Sequence, residues 1–497
     1  MKILLACLSS FVFSTIIAQD KNNSLYKEKY RPQFHFSPEK NWINDPNGLL
    51  YHNGEYHLFF QYNPFGNEWG HMSWGHASSK DLIHWKNLPV AIPEEKNFMI
   101  FSGSAVSDIY NTSGFAKNEE IPVVAIYTAH TDSNQSQHLA YTLDNGKSWQ
   151  QYAHNPVIDL HKKDFRDPGV SWYAPGNFWL LAVSQPVENM ISFYSSSNLK
   201  DWKWLSNFGP AGDTSGVWEC PDLMQVPVAN GEGKKKWVLL TSQNGSMQYF
   251  VGEFNGTKFT NENPADKILR PDYGPDYYAA IAYHQIPESK NPVTIGWINN
   301  WNYANDIPTK PWKGAMSLPR KLSVKKINDE WILFQEPLAS LQSLRSSPWQ
   351  TKSFVANKEE ILPVESTQFE MELSWKPNAN SVSGVLLAAG NGKPLIIGYD
   401  AKKNKLFIDR ANVGDASFNK VYEQLSRYAT KLHLQNDTLH LHIFFDNSIV
   451  EVFANDGEAV LTAQVFADSI NNKIELFSKD GLNTFNDLQI WKMKSIW

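Results

Sequence analysis

The chain is poor in several things, and each scarcity closes off a class of protein. Cysteine is nearly absent: 497 residues hold two, Cys7 and Cys220. No disulfide framework can be built on that. Lysine and arginine form no basic block, and the formal net charge is -6. A nucleic-acid partner needs a concentrated basic face, so none is expected. Beyond the first twenty residues no apolar run approaches the ~20 residues of a membrane-spanning helix. The 14 histidines are scattered, without paired or HExxH spacing, so neither a metal ion nor a cofactor is expected. Sustained helical periodicity is missing from residues 32–335. Aromatics, in contrast, are plentiful: 19 Trp, 20 Tyr and 28 Phe. They can fill β cores, and they can stack on sugar rings.

The first residues differ from the rest. Lys2 precedes an apolar stretch from Ile3 to Ala18, followed by Gln19-Asp20. This reads as a signal peptide over residues 1–19, cut near Ala18 or Gln19, and implies a secreted or periplasmic protein. Leu5-Ala6-Cys7 resembles a lipoprotein signal. The six residues before Cys7 are too few for the apolar region such a signal requires, so no lipid anchor is expected. Once the signal is removed Cys220 is the sole thiol, and the core must hold by packing.

From Pro32 to about Gln335 the text consists of short aromatic and β-branched runs cut by Asn, Gly, Asp and Pro. Tyr56–Tyr62, Val123–Tyr127, Phe178–Val183, Trp237–Thr241 and Thr294–Ile298 are examples. Each has strand length and turn-forming boundaries. A weak repeat runs through them, in which a polar turn is followed by a bulky aromatic: Trp85, Trp149, Trp202 and Phe259. The spacings are 64, 53 and 57 residues. That period suits a four-stranded propeller blade, and about 300 residues give roughly five blades. Near residues 336–353 the pattern shifts. Pro337–Leu344 could form a short helix, which Ser346-Ser347-Pro348 breaks, so this segment reads as the linker between domains. From 354 to 497 strict alternation takes over, as in Phe369–Trp375 and Leu439–Phe445. This predicts an antiparallel β-sandwich. The expected architecture is all-β: a five-bladed propeller at 32–335 and a sandwich at 354–497.

Three acids sit in strand-turn settings. Asp45 lies in Trp42-Ile43-Asn44-Asp45-Pro46-Asn47-Gly48, which reads as a sharp turn entering a strand. Asp167 lies in Arg166-Asp167-Pro168, and Glu219 in Trp218-Glu219-Cys220-Pro221. Each alone is explained by turn chemistry. In a propeller, however, equivalent strand ends of successive blades converge on the axis, so acids from three blades can share one pocket. Crowded carboxylates raise one another's pKa, which lets a pair divide into an acid and an anion.

These three motifs, in this order, resemble the signatures of glycoside hydrolase family 32, which includes invertases, levanases and inulinases. Phe101-Ser102-Gly103-Ser104, Asp272–Ala279, Lys313–Arg320 and Leu441–Gly457 extend the resemblance across nearly the whole chain. The resemblance implies a five-bladed propeller followed by a sandwich. It also implies a retaining enzyme that releases terminal β-fructosyl units from fructan or sucrose. Asp45 would be the nucleophile, Glu219 the general acid/base and Asp167 the transition-state stabiliser. Arg166 would orient Asp167 or bond the same sugar. Asn44, Gln61, Ser102 and Asp272 would bond sugar hydroxyls, and Trp42, Trp69, Phe101 and Trp297 would wall the fructosyl ring. Retention implies carboxyls of Asp45 and Glu219 about 5–5.5 Å apart. Glu219 is expected to be kept neutral by desolvation between Trp218 and Cys220, with two acids nearby, and Cys220 to be packing. A fructosyltransferase of the same fold and a non-catalytic sugar-binding propeller are the competing readings. For the sandwich, packing against the propeller, glycan binding and homodimer contacts all stay open, since no motif decides among them.

Overall fold

The computed structural model describes residues 25–284, 286–287, 291–387, 393–411, 413–467 and 472–497. The expected signal peptide and Cys7 lie outside the described residues.

Five antiparallel sheets of four or five strands follow one another along the chain. Their first long strands are Asn41–His52, Met99–Ser107, Arg166–Tyr173, Glu219–Pro227 and Tyr278–Tyr283. Each of these contacts the next in sequence, and the fifth returns to the first. The ring is closed, so the sheets are blades of a five-bladed propeller. The ring is tied by Trp312–Lys313, which pairs parallel to Asn41–Trp42 in the first blade.

The repeat seen in the sequence has a simple structural origin. Trp85, Trp149, Trp202 and Phe259 all follow the turn between the third and fourth strands of their blades. The middle strands read as unbroken apolar runs because neighbouring blades cover both faces. Val123–His130 is buried at all but its last residue, the pattern of a strand with no solvent side.

The sandwich consists of two antiparallel six-stranded sheets around a single apolar core. Its first strand is Trp349–Ala356, so this domain starts a few residues earlier than the alternation suggested. The expected linker is no free tether. Residues Ala339–Leu344 form a 3-10 helix, and Leu341 and Leu344 pack with Phe34 and Leu318 of the propeller side and Phe444, Phe453 and Val460 of the sandwich.

The junction between the domains is also polar. Arg320 is fully buried; it donates from Nε to Glu451 (3.0 Å), from Nη1 to Asp272 (2.9 Å) and from Nη2 to Thr462 (2.7 Å). His35 lies against Asp446 (2.8 Å) and Glu451 (3.1 Å). Buried charges persist only when paired this completely. The stretch Asp272–Ala279 runs along the junction: Tyr273 and Asp276 donate their backbone N–H groups to Val460 and Thr462 of the sandwich.

One expectation at the start of the propeller is corrected. Trp42–Gly48 is not a turn but part of a continuous strand, Asn41–His52. Its turn-forming residues instead break the pairing ladder. Between Ile43 and Pro46 two residues, Asn44 and Asp45, have no partner across the strand.

Candidate active site

That break recurs in every blade. The inner ladders skip Phe101-Ser102, Asp167-Pro168, Cys220-Pro221 and Ala279-Ala280 in the second to fifth blades. Bulges of this kind bend a strand and re-aim its side chains. Asp167, Cys220 and Ala279 have φ values of 65°, 48° and 52°, in the left-handed region that side chains larger than glycine rarely adopt. Five broken strand entries around one axis, three of them strained, gather the site.

Two tiers of side chains result. In the deeper tier the buried Asp45 and Asp167 flank Cys220. Its Sγ lies 3.6 Å from Oδ2 of each. Ser102 donates to Asp45 Oδ2 at 2.7 Å, and the backbone N–H of Cys220 donates to Asp167 Oδ2 at 3.0 Å. Asp45 Oδ1 is buried without a protein partner. In the outer tier the residues just before the breaks of the third, fourth and fifth blades meet. Arg166 donates to Glu219 Oε1 from Nε (3.0 Å) and Nη2 (2.9 Å), and the Tyr278 hydroxyl donates to Glu219 Oε2 at 2.5 Å.

Burial pushes the Asp45 carboxyl up; the Ser102 hydrogen bond opposes this, and the charge of Glu219 adds to it. Burial also raises Asp167, against the pull of Arg166 and with the help of Glu219 and Asp45, to about 7. The same burial holds the Cys220 thiol well above its ordinary value, with the nearby carboxylates adding to the effect. Cys220 is therefore a neutral S–H between two acids, not a nucleophile. It is also more than packing, because it touches both carboxylates.

The walls come from three blades, the first, second and fifth. Trp42 and Trp297 are fully buried and lean on each other at 5.8 Å. Trp42 Nε1 donates to Asn44 Oδ1 at 2.7 Å. Phe101 stacks face to face on His130 at 4.0 Å and meets the edge of Trp69 at 6.1 Å. Trp69 is 40% exposed. Gln61 Nε2 and Trp297 Nε1 are buried polar atoms with no protein partner. Donors of this kind are costly unless a ligand or water satisfies them.

Several expectations need correction. Asp272 is not at this site. Its Oδ1 accepts from Gly274 and Thr462 N–H groups, and its Oδ2 from Arg320 and Thr462 Oγ1. Both oxygens are used at the domain junction. Arg166 clamps Glu219 and Asp164 (2.8 Å) rather than Asp167. Ser102 donates its proton to Asp45, leaving its oxygen as an acceptor. The Glu219 carboxyl does not lie between apolar neighbours: Trp218 turns into a blade core, donating to the Asp213 carbonyl, while a guanidinium and a phenol surround the acid.

Two residues escaped the sequence reading. Tyr278 had a signal, its place just before a ladder break like Arg166 and Glu219. Trp301 had none, since it lies in the irregular segment 299–309. It packs on Trp42 at 6.0 Å and Trp297 at 4.9 Å and is 38% exposed.

Beneath the acids a cavity of about 1190 Å³ follows the propeller axis. Ser102, Asp167 and Cys220 line it, as do Tyr110, Trp172 and His284 from the far strand ends. Among the described residues the acid and imidazole group with metal-like spacing is Glu370, Glu372 and His442, in the sandwich. Arg345 pairs with both of its glutamates through Nη2.

The description "Glycosyl hydrolases family 32 N-terminal domain" matches residues 35–337, and "Glycosyl hydrolases family 32 C terminal" matches 340–492. A levanase of Bacillus subtilis is 42% identical over 510 residues, covering 100% of this chain and 74% of that protein. An exo-inulinase of Aspergillus awamori has a solved structure that superposes with a TM-score of 0.89 at 39% identity, covering 95% of this chain and 100% of that one. A fructofuranosidase of Schwanniomyces occidentalis, solved in complex with fructosylnystose, superposes with a TM-score of 0.86 at 30% identity, covering 95% and 99%. With its propeller, its sandwich and three acids gathered at one end of the axis, the chain belongs to glycosyl hydrolase family 32.

Proposed function

We propose that the protein is an exported retaining β-fructosidase that removes terminal fructosyl units from fructan or sucrose. The observation that carries this reading is the meeting of Asp45, Asp167 and Glu219, drawn from three blades, around one thiol and one guanidinium. Asp45, with Oδ1 free, attacks the anomeric carbon of the fructosyl unit while Glu219 gives its proton to the departing oxygen. The bond to the rest of the substrate breaks, and a fructosyl ester of Asp45 forms. Glu219, now an anion, takes a proton from water as that water attacks the same carbon. Fructose leaves with its configuration retained, and Asp45 is regenerated.

The outer tier suits an acid that alternates between states. The Tyr278 hydroxyl can donate to the Glu219 anion and accept from its protonated form, so one contact serves both. Asp167 accepts sugar hydroxyls, and its raised affinity for protons is lowered again when those donors arrive. Gln61, the amide of Asn44 and Ser102 supply further polar contacts, and Trp42, Phe101, Trp69, Trp297 and Trp301 form the wall.

The test is digestion of levan, inulin and sucrose by the wild type, Asp45→Asn and Glu219→Gln, with free fructose and its anomer followed by NMR. Retained fructose from the wild type and a loss of about 10³-fold or more in either variant is expected. Equal release by the variants overturns the roles. New oligosaccharides in place of fructose would make the enzyme a transferase, and absence of release from all three substrates by the wild type overturns the reading itself.

A further inference from the structure

Segment 299–309 belongs to the propeller, yet the sandwich holds it. Tyr303 is fully buried; its hydroxyl donates to Asp276 at 2.6 Å and accepts from Arg410 Nη2 at 2.9 Å. Arg410, on the sandwich, also donates from Nη1 to Asp276 at 2.8 Å and lies flat on Tyr422, 3.9 Å from its ring. Tyr422 meets the face of Tyr303 edge-on at 5.2 Å. From the same part of the sandwich, the Asn419 amide donates to the Asn302 carbonyl at 3.1 Å and to Asp306 at 2.7 Å. Ile307 is buried beside Tyr422 and Phe466.

The other side of this segment faces the site. Trp301 packs on Trp42 and Trp297, and Asn305 Oδ1 accepts from the backbone N–H of Trp69 at 3.0 Å. Trp301 and Trp69 are the half-exposed aromatics of the wall, at 38% and 40%. They therefore sit at its rim, where the part of the substrate beyond the cleaved bond must pass. The segment has no strand or helix of its own to fix it. Its conformation is set by what grips it: within the propeller Asn300 donates to the Gly245 and Pro275 carbonyls and Lys313 to the Asn305 carbonyl, and from the sandwich Arg410, Tyr422 and Asn419 hold Asn302, Tyr303 and Asp306.

We infer that the sandwich sets substrate preference: Arg410 and Asn419 are positioning residues that act through Tyr303, Asn302 and Asp306 to place Trp301 and Trp69 at the rim of the sugar pocket. This inference rests on the fructosidase reading of that pocket and deepens it. The three acids stand on other blades, so loosening the segment alters how the leaving part of the substrate is held more than it alters bond cleavage.

The test compares Asn419→Ala, Arg410→Lys and a control, Arg345→Ala, as full-length proteins. Arg345 pairs with Glu370 within the sandwich and has no contact with the segment. Asn419 is half-buried and its Oδ1 also caps the helix Lys420–Gln424, accepting from the Val421 and Tyr422 N–H groups, so the melting temperature of its variant separates loss of that cap from loss of the grip on the segment. Initial rates are measured on sucrose, inulin and levan, with melting temperatures alongside. For Asn419→Ala the expected result is a rise in KM for polymer of about three- to tenfold relative to the rise for sucrose, with kcat on sucrose nearly unchanged. The control is expected to lower the melting temperature without moving the polymer-to-sucrose ratio. If Asn419→Ala keeps the wild-type ratio, or if the control shifts it equally, the sandwich does not set preference. Failure of the wild type to release fructose would overturn the underlying reading instead, so the two failures are distinct.

Discussion

Two nitrogens of Arg166 converge on a single oxygen of Glu219, at 3.0 and 2.9 Å. The two residues stand at the same point of adjacent blades, each just before the break in its ladder. The guanidinium thus fixes where the proposed acid/base points, while Tyr278 holds the other oxygen. A lysine would keep the charge but could not grip from two positions. Arg166→Lys is expected to lower kcat for fructose release by about 10–100-fold with little change in melting temperature. Initial rates at saturating sucrose check this, and an unchanged kcat would mean the clamp has no part in the reaction.

Asp167 links activity to a stability cost. Burial dominates its environment, and its carboxyl holds a proton up to about pH 7. In the unfolded chain it would lose that proton near pH 4. Between these values the folded state binds more protons than the unfolded one, so stability falls as pH rises through the window and levels off above it. Asp167→Asn removes this contribution. The variant is expected to be more stable than wild type by about 1–3 kcal/mol at pH 8, with the gain vanishing near pH 4, and to have lost most activity. Urea melts at the two pH values test it.

Much of this site was legible in the text, for reasons particular to its residues. Asp45-Pro46 and Asp167-Pro168 announced fixed backbones, and the aromatic after each third turn announced the blades. Convergence on one axis then followed from the fold. What the text hid was pairing across blades. Arg166 adjoins Asp167 in sequence, but a left-handed φ at Asp167 sends the two side chains to different tiers, so the arginine finds Glu219. Asp272 carries a motif of the family, yet that motif serves the domain junction, where Arg320 and Thr462 consume both its oxygens. Trp301 lies in a segment without period or turn signature, shaped by the sandwich rather than by its own sequence.

The junction should respond to pH in a defined direction. Burial alone would lower the pKa of His35, but Asp446 and Glu451 on its two ring nitrogens raise it to about 9. A raised imidazole stabilises the fold fully below its unfolded value near 6.5, and that stabilisation is lost as pH rises through about 9. Wild type is therefore expected to exceed His35→Gln by about 1–3 kcal/mol at pH 6, with the gap narrowing by pH 9.5. A gap that widened with pH would contradict the charged pairing.

The tightness of the junction can be probed by adding one carbon. A Cβ on Gly274 would stand 2.1 Å from the Thr462 carbonyl oxygen and 2.3 Å from its nitrogen. Both obstacles are backbone, held in a strand of the sandwich, so neither can swing aside as a side-chain tip would. The neighbouring hydrogen bonds depend on the same approach: Tyr273 N–H to Val460, Asp276 N–H to Thr462, and Thr462 N–H to Asp272. Gly274→Ala must push the two domains apart locally or bend this segment. It is expected to cost about 2–4 kcal/mol, more than a surface substitution by several-fold. The displaced segment continues into Asp276, which holds Tyr303, and into Tyr278, which touches Glu219. The variant should therefore lose rate as well as stability. Melting and initial rates measured together decide it: a drop in melting temperature with full activity would show that strain at the junction stops before it reaches the acids.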